Sequence, residues 1–249
     1  MFDTYTDIFN KRGVAYHEAM QRYPNARDEE FGAMLDLLKP EAGDTVADMP
    51  SGGGYMRRYF GSKDIKLIAI ETTQAFYDQC VEDEQTQCLL RNLDDTGLET
   101  ASVDAVVSMA GLHHVEDRLT VFEEIYRILK PGGRLCIADV EKGSEIDGFL
   151  DTFVNQHNSL GHEGRFIEDD FRQDLQSADF DITFDNTLQY AWKFKNADQM
   201  VEYCTLMFGL DEASPKQVFD GISSWQGYTI YNGSCDMHWK LRFLKCIKK

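Results

Sequence analysis

At 249 residues, 43% of them apolar, the chain suits a soluble globular protein and is long enough for one large α/β domain with a sizeable core. Its 25 basic against 43 acidic residues give a net charge of −18, which repels phosphate backbones and argues against a nucleic-acid substrate; solubility alone accounts for such a balance. No apolar run approaches the roughly 18 residues of a membrane span and no N-terminal signal pattern appears, so a cytoplasmic protein without membrane contact is expected. The six cysteines, Cys80, Cys88, Cys136, Cys204, Cys235 and Cys246, form no C-x-x-C, which predicts buried thiols rather than a disulfide framework or a zinc site.

In chain order, Tyr5, Phe9, Tyr16, Met20 and Tyr23 recur at mostly helical intervals over 3–22, with a break expected near Gly13. A second helix starts near Asn25–Asp28, buries Phe31, Met34, Leu35 and Leu38, and ends at Lys39-Pro40. Two apolar runs follow, one ending in Asp48 and one in Glu71, with a short helix over Tyr55–Phe60 between them that Gly61 can terminate. Further on, the pattern predicts a helix over Thr73–Val81, strands over Gln87–Leu90 and Val103–Met109, and a helix bearing Leu119, Phe122, Ile125 and Leu129. Lys130-Pro-Gly-Gly133 then turns into a strand over Arg134–Val140. Helices are expected over Ile146–Asn158, over Glu168–Ala178 with Phe171 and Leu175 inward, and after the capping signals at Asn196 and Ser214. Ile182–Phe194 alternates as an antiparallel strand does, and Trp239–Cys246 reads as the last strand.

The stretch 44–71 carries the first chemical signal. A strand, a tight turn with Gly52, Gly53 and Gly54, a short helix and a second strand ending in an acid place a nucleoside-bearing ligand across two strand ends. Glycines let the ligand approach the backbone, and a terminal carboxylate can accept two ribose hydroxyls. The dinucleotide pattern G-x-G-x-x-G fails, because Arg57 stands at the third glycine. A plain Gly-rich turn of an α/β protein would also explain the run.

Asp48-Met-Pro50-Ser-Gly52-Gly-Gly54 resembles the acid-x-G-x-G-x-G turn of class I S-adenosylmethionine-dependent methyltransferases, with Pro50 in place of the first glycine. Val103–Met109, Gly111–Asp117 and Ile125–Asp139 resemble that family's fourth strand, the loop after it and the helix–turn–strand that closes its core. The likeness covers about 40–140 and is closest to small-molecule methyltransferases. It implies a Rossmann-like, doubly wound α/β fold with a mostly parallel seven-stranded sheet and an antiparallel last strand. A single domain is expected: a helical N-terminal lid (1–39), a cofactor core (40–140), a substrate cap and sheet edge (141–235), and the last strand (236–249).

The resemblance also implies roles. Glu71 and Thr72 would meet the ribose. Asp48, Pro50, Gly52 and Gly54 would meet the methionine end, with Ser108 or Met109 offering a backbone carbonyl to the ammonium group. Asn92, in place of the usual acid, and Leu93 would hold adenine. His114, His157 and His162 are candidates for substrate contact or general base, with His113 and Arg165 nearby. No third ligand with metal-site spacing is apparent beside His113-His114, so no metal is expected. The implied function is methyl transfer from S-adenosylmethionine, leaving S-adenosylhomocysteine, to oxygen or nitrogen of a small molecule, by a monomer or homodimer. A non-catalytic domain that binds these sulfur ligands is the alternative, kept open by Pro50 and Asn92. An NAD-linked oxidoreductase is a third reading, and lacks the pyrophosphate turn.

Overall fold

The structure is a computed structural model that describes residues 5–249, and the side chains of all of these except Tyr5 and Asp7. The part of the N-terminal stripe on residues 3–5 therefore lies outside the described side chains. From Phe9 onward the pattern forms α1 (Tyr5–Arg22), unbroken at Gly13. A side chain there would collide, since a Cβ on Gly13 would lie 2.9 Å from the Ala75 Cβ. The glycine lets two helices touch rather than ending one. α2 (Asp28–Leu38) follows, closed by Lys39 in the left-handed region.

The core alternates β1 (Thr45–Asp48), α3 (Arg57–Phe60), β2 (Lys66–Glu71), α4 (Gln74–Tyr77), β3 (Thr86–Leu90), β4 (Val103–Met109), α5 (Arg118–Ile128) and β5 (Leu129–Asp139). The second half holds α6 (Glu145–Gly148), a π-helical segment (Phe149–Val154) and α7 (Asn155–His157), which run on as one rod. It continues with α8 (Asp169–Ser177), β6 (Phe180–Phe194), α9 (Ala197–Phe208), α10 (Pro215–Trp225), β7 (Tyr228–Tyr231) and β8 (Ser234–Lys248). Both expected caps form: Asn196 accepts from the Gln199 amide, and Ser214 makes a capping box with Gln217.

The strand order is β3-β2-β1-β4-β5-β8-β6, with β7 on the side of β8. β1 to β5 pair in parallel, and β8 lies antiparallel between β5 and β6. The order reverses between β1 and β4, where an α/β sheet opens its ligand crevice at the carboxyl ends of the strands. The eighth strand, beyond the seven expected, is a hairpin arm. Asn232 and Gly233 both take positive φ, at 49° and 83°, as a two-residue hairpin turn requires. Residues Phe31, Phe60, Phe149, Tyr203 and Ile222 gather the helices of one sheet face, and Phe122, Ile125, Phe171 and Leu175 those of the other.

Two further expectations need correction. The helix over Thr73–Val81 is a single turn, Gln74–Tyr77, and Cys80 beyond it forms a disulfide with Cys88 in the middle of β3. The reading of six thiols therefore fails for that pair; Cys136, Cys204, Cys235 and Cys246 are free and buried. No helix among the described residues is long and apolar enough to cross a membrane.

Candidate active site

β1 and β2 deliver Asp48 and Glu71, both buried, to the same end of the sheet. Between them the chain is pinned to its neighbours: the Met49 amide donates to Val107 O at 3.0 Å and the Ser51 amide to Ile70 O at 3.0 Å. Gly52 and Gly54 take φ of +65° and +72°, the left-handed region that glycine adopts without strain. That geometry turns the Gly52 amide onto Glu71 Oε1 at 2.6 Å. The other carboxylate oxygen accepts from the Thr72 amide at 3.2 Å and the Thr73 hydroxyl at 3.3 Å. Pro50 is accommodated from across the crevice, because a Cβ on Gly111 would sit 2.4 Å from the Pro50 ring. Burial, and then the neighbouring Glu71 charge, hold the Asp48 carboxyl well above the usual carboxylate range. Two buried acids side by side favour a cationic ligand.

A cavity of about 490 Å³, open mouth included, lies over this turn and is lined by Asp48, Pro50, Gly52 and Met109. α1 covers it with Phe9 and Tyr16. His17 Nδ1 lies 2.9 Å from the Tyr55 hydroxyl, and Tyr16 stacks on Tyr55 with ring centroids 6.2 Å apart. A second cavity, about 690 Å³ with its mouth, adjoins it beneath the same helix. Phe9, Tyr16, Arg27 and Ala110 line both.

The second cavity is mostly apolar, with Trp192, Phe208 and Trp239 in its wall, and contains His113, His114 and His162. His113 Nδ1 lies 2.6 Å from Asp139 Oδ1. Asp139 is itself held by the amides of Leu112, His113 and Val140 at 3.0, 3.2 and 2.8 Å. His162 Nδ1 lies 2.9 Å from Asp151 Oδ1, on the π-helical segment. Burial, with added repulsion from His113, His162 and Arg12, pushes the His114 imidazole well below the usual histidine range. Burial also lowers His162, against the opposing pull of Asp151. At the floor, the buried Arg27 guanidinium forks onto Glu30 at 2.9 and 2.7 Å and donates to the Tyr16 hydroxyl at 2.6 Å. The Trp192 indole N–H closes the network on Glu30 at 2.6 Å.

Residues 47–137 match the family described as methyltransferase domain. That stretch is a methyltransferase domain by this match, and it covers a little over a third of the chain. It is 31% identical over 127 residues, 49% of this chain and 18% of the other, to the mouse (Mus musculus) tRNA (carboxymethyluridine(34)-5-O)-methyltransferase ALKBH8. It is 38% identical over 159 residues, 56% of this chain and 59% of the other, to the O-methyltransferase resE of Aspergillus sclerotiorum. It therefore spans less than two thirds of either relative. In fold it is similar to the phosphoethanolamine N-methyltransferase 2 of Haemonchus contortus, solved with phosphomonomethylethanolamine and S-adenosylhomocysteine. That likeness has a TM-score of 0.64 and 15% identity, and covers 98% of this chain and 60% of the other.

The cofactor of such domains is S-adenosylmethionine, and the turn between β1 and α3 has features that suit it. Gly52 and Gly54 hold the left-handed turn, with the Tyr55 ring over Gly52 and Cys80 against Gly54; Glu71 stands at the end of β2, and the acid pair suits a ligand carrying positive charge. The remaining expected residues are placed unequally. Ser108 is buried in β4, Asn92 is exposed beyond β3, and Leu93 is buried in the core on the α5 face; none of the three lines the cavity over the turn, and neither do Gly54, Glu71 and Thr72, which stand behind it. His114 and His162 meet in the second cavity, whereas His157 turns to Phe153, ring centroids 4.7 Å apart, outside its lining. Arg165 is scaffold: it donates to Glu116 O at 2.5 Å and to Asp170 at 2.6 Å. Sequence reasoning missed Asp139 and Asp151 as partners of the imidazoles, and Arg27 and Glu30 as the polar floor. Asp139 had a signal in its position at the end of a core strand; the others had none.

Proposed function

We propose that this methyltransferase moves a methyl group from S-adenosylmethionine to an oxygen or nitrogen of a small acceptor held in the cavity beneath α1. The observation that carries the reading is the wall of Phe9, Tyr16, Arg27 and Ala110, common to the donor-side cavity and the histidine-bearing one. When bound, the cofactor supplies a methyl carbon already activated by its sulfonium. The protein's task is then to position the acceptor and exclude water. Glu71 holds the ribose, the Gly52–Gly54 turn admits the methionine end, and Asp48 faces its positive charge. Phe9 and Tyr16 keep solvent out. The acceptor's proton passes to an imidazole of the cavity: Asp139 and Asp151 hold Nδ1 of His113 and His162, which leaves Nε2 of each to take it.

The enclosed, aromatic-walled cavity and the net charge of −18 favour a free small molecule over a polynucleotide. The likeness to a tRNA methyltransferase makes tRNA the comparison to run. A cytoplasmic monomer or homodimer goes with this reading. Calorimetry with S-adenosylmethionine, S-adenosylhomocysteine and NAD should give binding of the two sulfur ligands alone. Glu71→Ala should weaken it by roughly 100-fold, about 3 kcal/mol, through loss of hydrogen bonds to a charged group. Methyl-labelled cofactor should then mark small phenols or amines and leave tRNA unlabelled. Label in tRNA, or binding of NAD alone, would overturn the proposal.

A further inference from the structure

His113 and His114 sit on a 3₁₀ turn (Leu112–His114) after β4, and His162 comes from the loop that follows the π-helical segment. The fold brings one ring nitrogen of each within 4.8 Å of the others. Ring centroids are 4.1 Å apart for His113 and His114, 5.7 Å for His113 and His162, and 5.3 Å for His114 and His162. In a tetrahedral site with metal–nitrogen bonds of about 2.0–2.1 Å, ligand nitrogens stand about 3.4 Å apart, so small ring rotations would close the set.

The surroundings match what a metal-binding imidazole needs. Asp139 and Asp151 occupy Nδ1 of His113 and His162 at 2.6 and 2.9 Å, which leaves Nε2 as the atom each can give. Asp139 is locked by three backbone amides, so it orients its histidine rather than swinging in as a ligand. The cluster opens into a cavity with apolar side chains such as Val140, Leu150 and Val154 in its wall, beside the Arg12 guanidinium and the Arg27–Glu30 floor, and the apolar wall would limit competing water.

We propose that His113, His114 and His162 bind one divalent cation of the zinc type. Three imidazoles and no oxygen donor suit Zn²⁺ or Co²⁺ and not Mg²⁺ or Ca²⁺. Three protein ligands leave a fourth position, which opens on the cavity and takes an oxygen of the acceptor; with the ion bound, Nε2 of His113 and His162 is a ligand and the acceptor's proton leaves to solvent instead. The acceptor's part in this rests on the methyl-transfer reading; the ion site itself does not.

The test is calorimetric titration of chelator-treated protein with Zn²⁺, with Co²⁺ absorption as an independent readout of ligand number. One ion per chain is expected, with the intense visible band of four-coordinate Co²⁺. Asp151→Asn should weaken Zn²⁺ binding by about 10–100-fold, as loss of an orienting carboxylate does, and carries the test if His162→Ala fails to fold. His162→Ala should weaken it further and His157→Ala leave it unchanged. No saturable binding, or affinity indifferent to both Asp151→Asn and His162→Ala, would overturn the site and leave the imidazoles in the proton-accepting role instead. S-adenosylmethionine titrated into the zinc-free protein separates the two readings. Cofactor binding without Zn²⁺ binding removes the ion site alone. Zn²⁺ binding without cofactor binding removes the methyl-donor reading and leaves the ion site standing.

Discussion

Asp48 is the residue where stability and function pull apart. Its carboxyl is raised above the unfolded value by burial and by Glu71, so the folded protein holds that proton more tightly than the unfolded chain. The contribution to stability is complete below about pH 4, near the unfolded carboxyl pKa, and is lost as pH rises through the folded value. Asp48→Asn should therefore melt higher than the parent at neutral pH, by a margin that shrinks to nothing in acid. It should also bind S-adenosylmethionine more weakly at every pH where the parent's carboxyl is ionised. Scanning calorimetry across pH, paired with titration of the cofactor, checks both parts. A variant that melts lower at neutral pH would mean the carboxylate is stabilised by something other than the contacts described. At this scale the sequence was legible for Asp48, Gly52 and Glu71, since each sits at a strand end or in the turn. Asn92 and Leu93 were placed by counting along a loop, and side-chain direction in a loop does not follow from counting.

Among the elements, α1 decides whether there is an enclosed site. It packs on α4 and α9 and gives Phe9 and Tyr16 to both cavities. Its approach to α4 depends on Gly13, with no room for a Cβ beside Ala75. Gly13→Val should push the helices apart at a cost of about 1–3 kcal/mol, the range for overpacking a tight contact. It should weaken S-adenosylmethionine binding as the cover lifts, while Glu71 and its backbone donors remain in place. Thermal melting and cofactor titration of the variant measure the two effects, and unchanged binding would show that α1 does not close the donor side. A glycine within an apolar stripe reads as a possible break from sequence, because the helix it touches is not yet known. The π-helical segment is similar: helical periodicity places 146–158 in a helix, but only the folded chain shows the local widening that carries Asp151 to His162.

For the whole molecule, the net charge of −18 acts on the compact state through self-repulsion. Salt screens exposed charges over about 8–10 Å at 0.10–0.15 M, so the melting temperature should rise as sodium chloride goes from low to physiological strength. A flat or falling profile would mean that ion pairs on the surface, such as Arg22 of α1 with Glu202 of α9, outweigh the repulsion. The long β8 ties the two halves together, pairing with β5, β6 and β7 along its length.

The alternation of apolar runs with acids and glycines at their ends determined by itself the order of the core elements, the parallel sheet and the glycine turn between β1 and α3. Those features are local, set by side-chain periodicity and by which residues tolerate a positive φ. The histidine cluster, its orienting carboxylates, the buried Arg27–Glu30 floor and the Cys80–Cys88 bond were decided by tertiary structure. Each joins residues that no local period relates, and their meeting depends on how the second half of the chain folds back over the carboxyl ends of the strands.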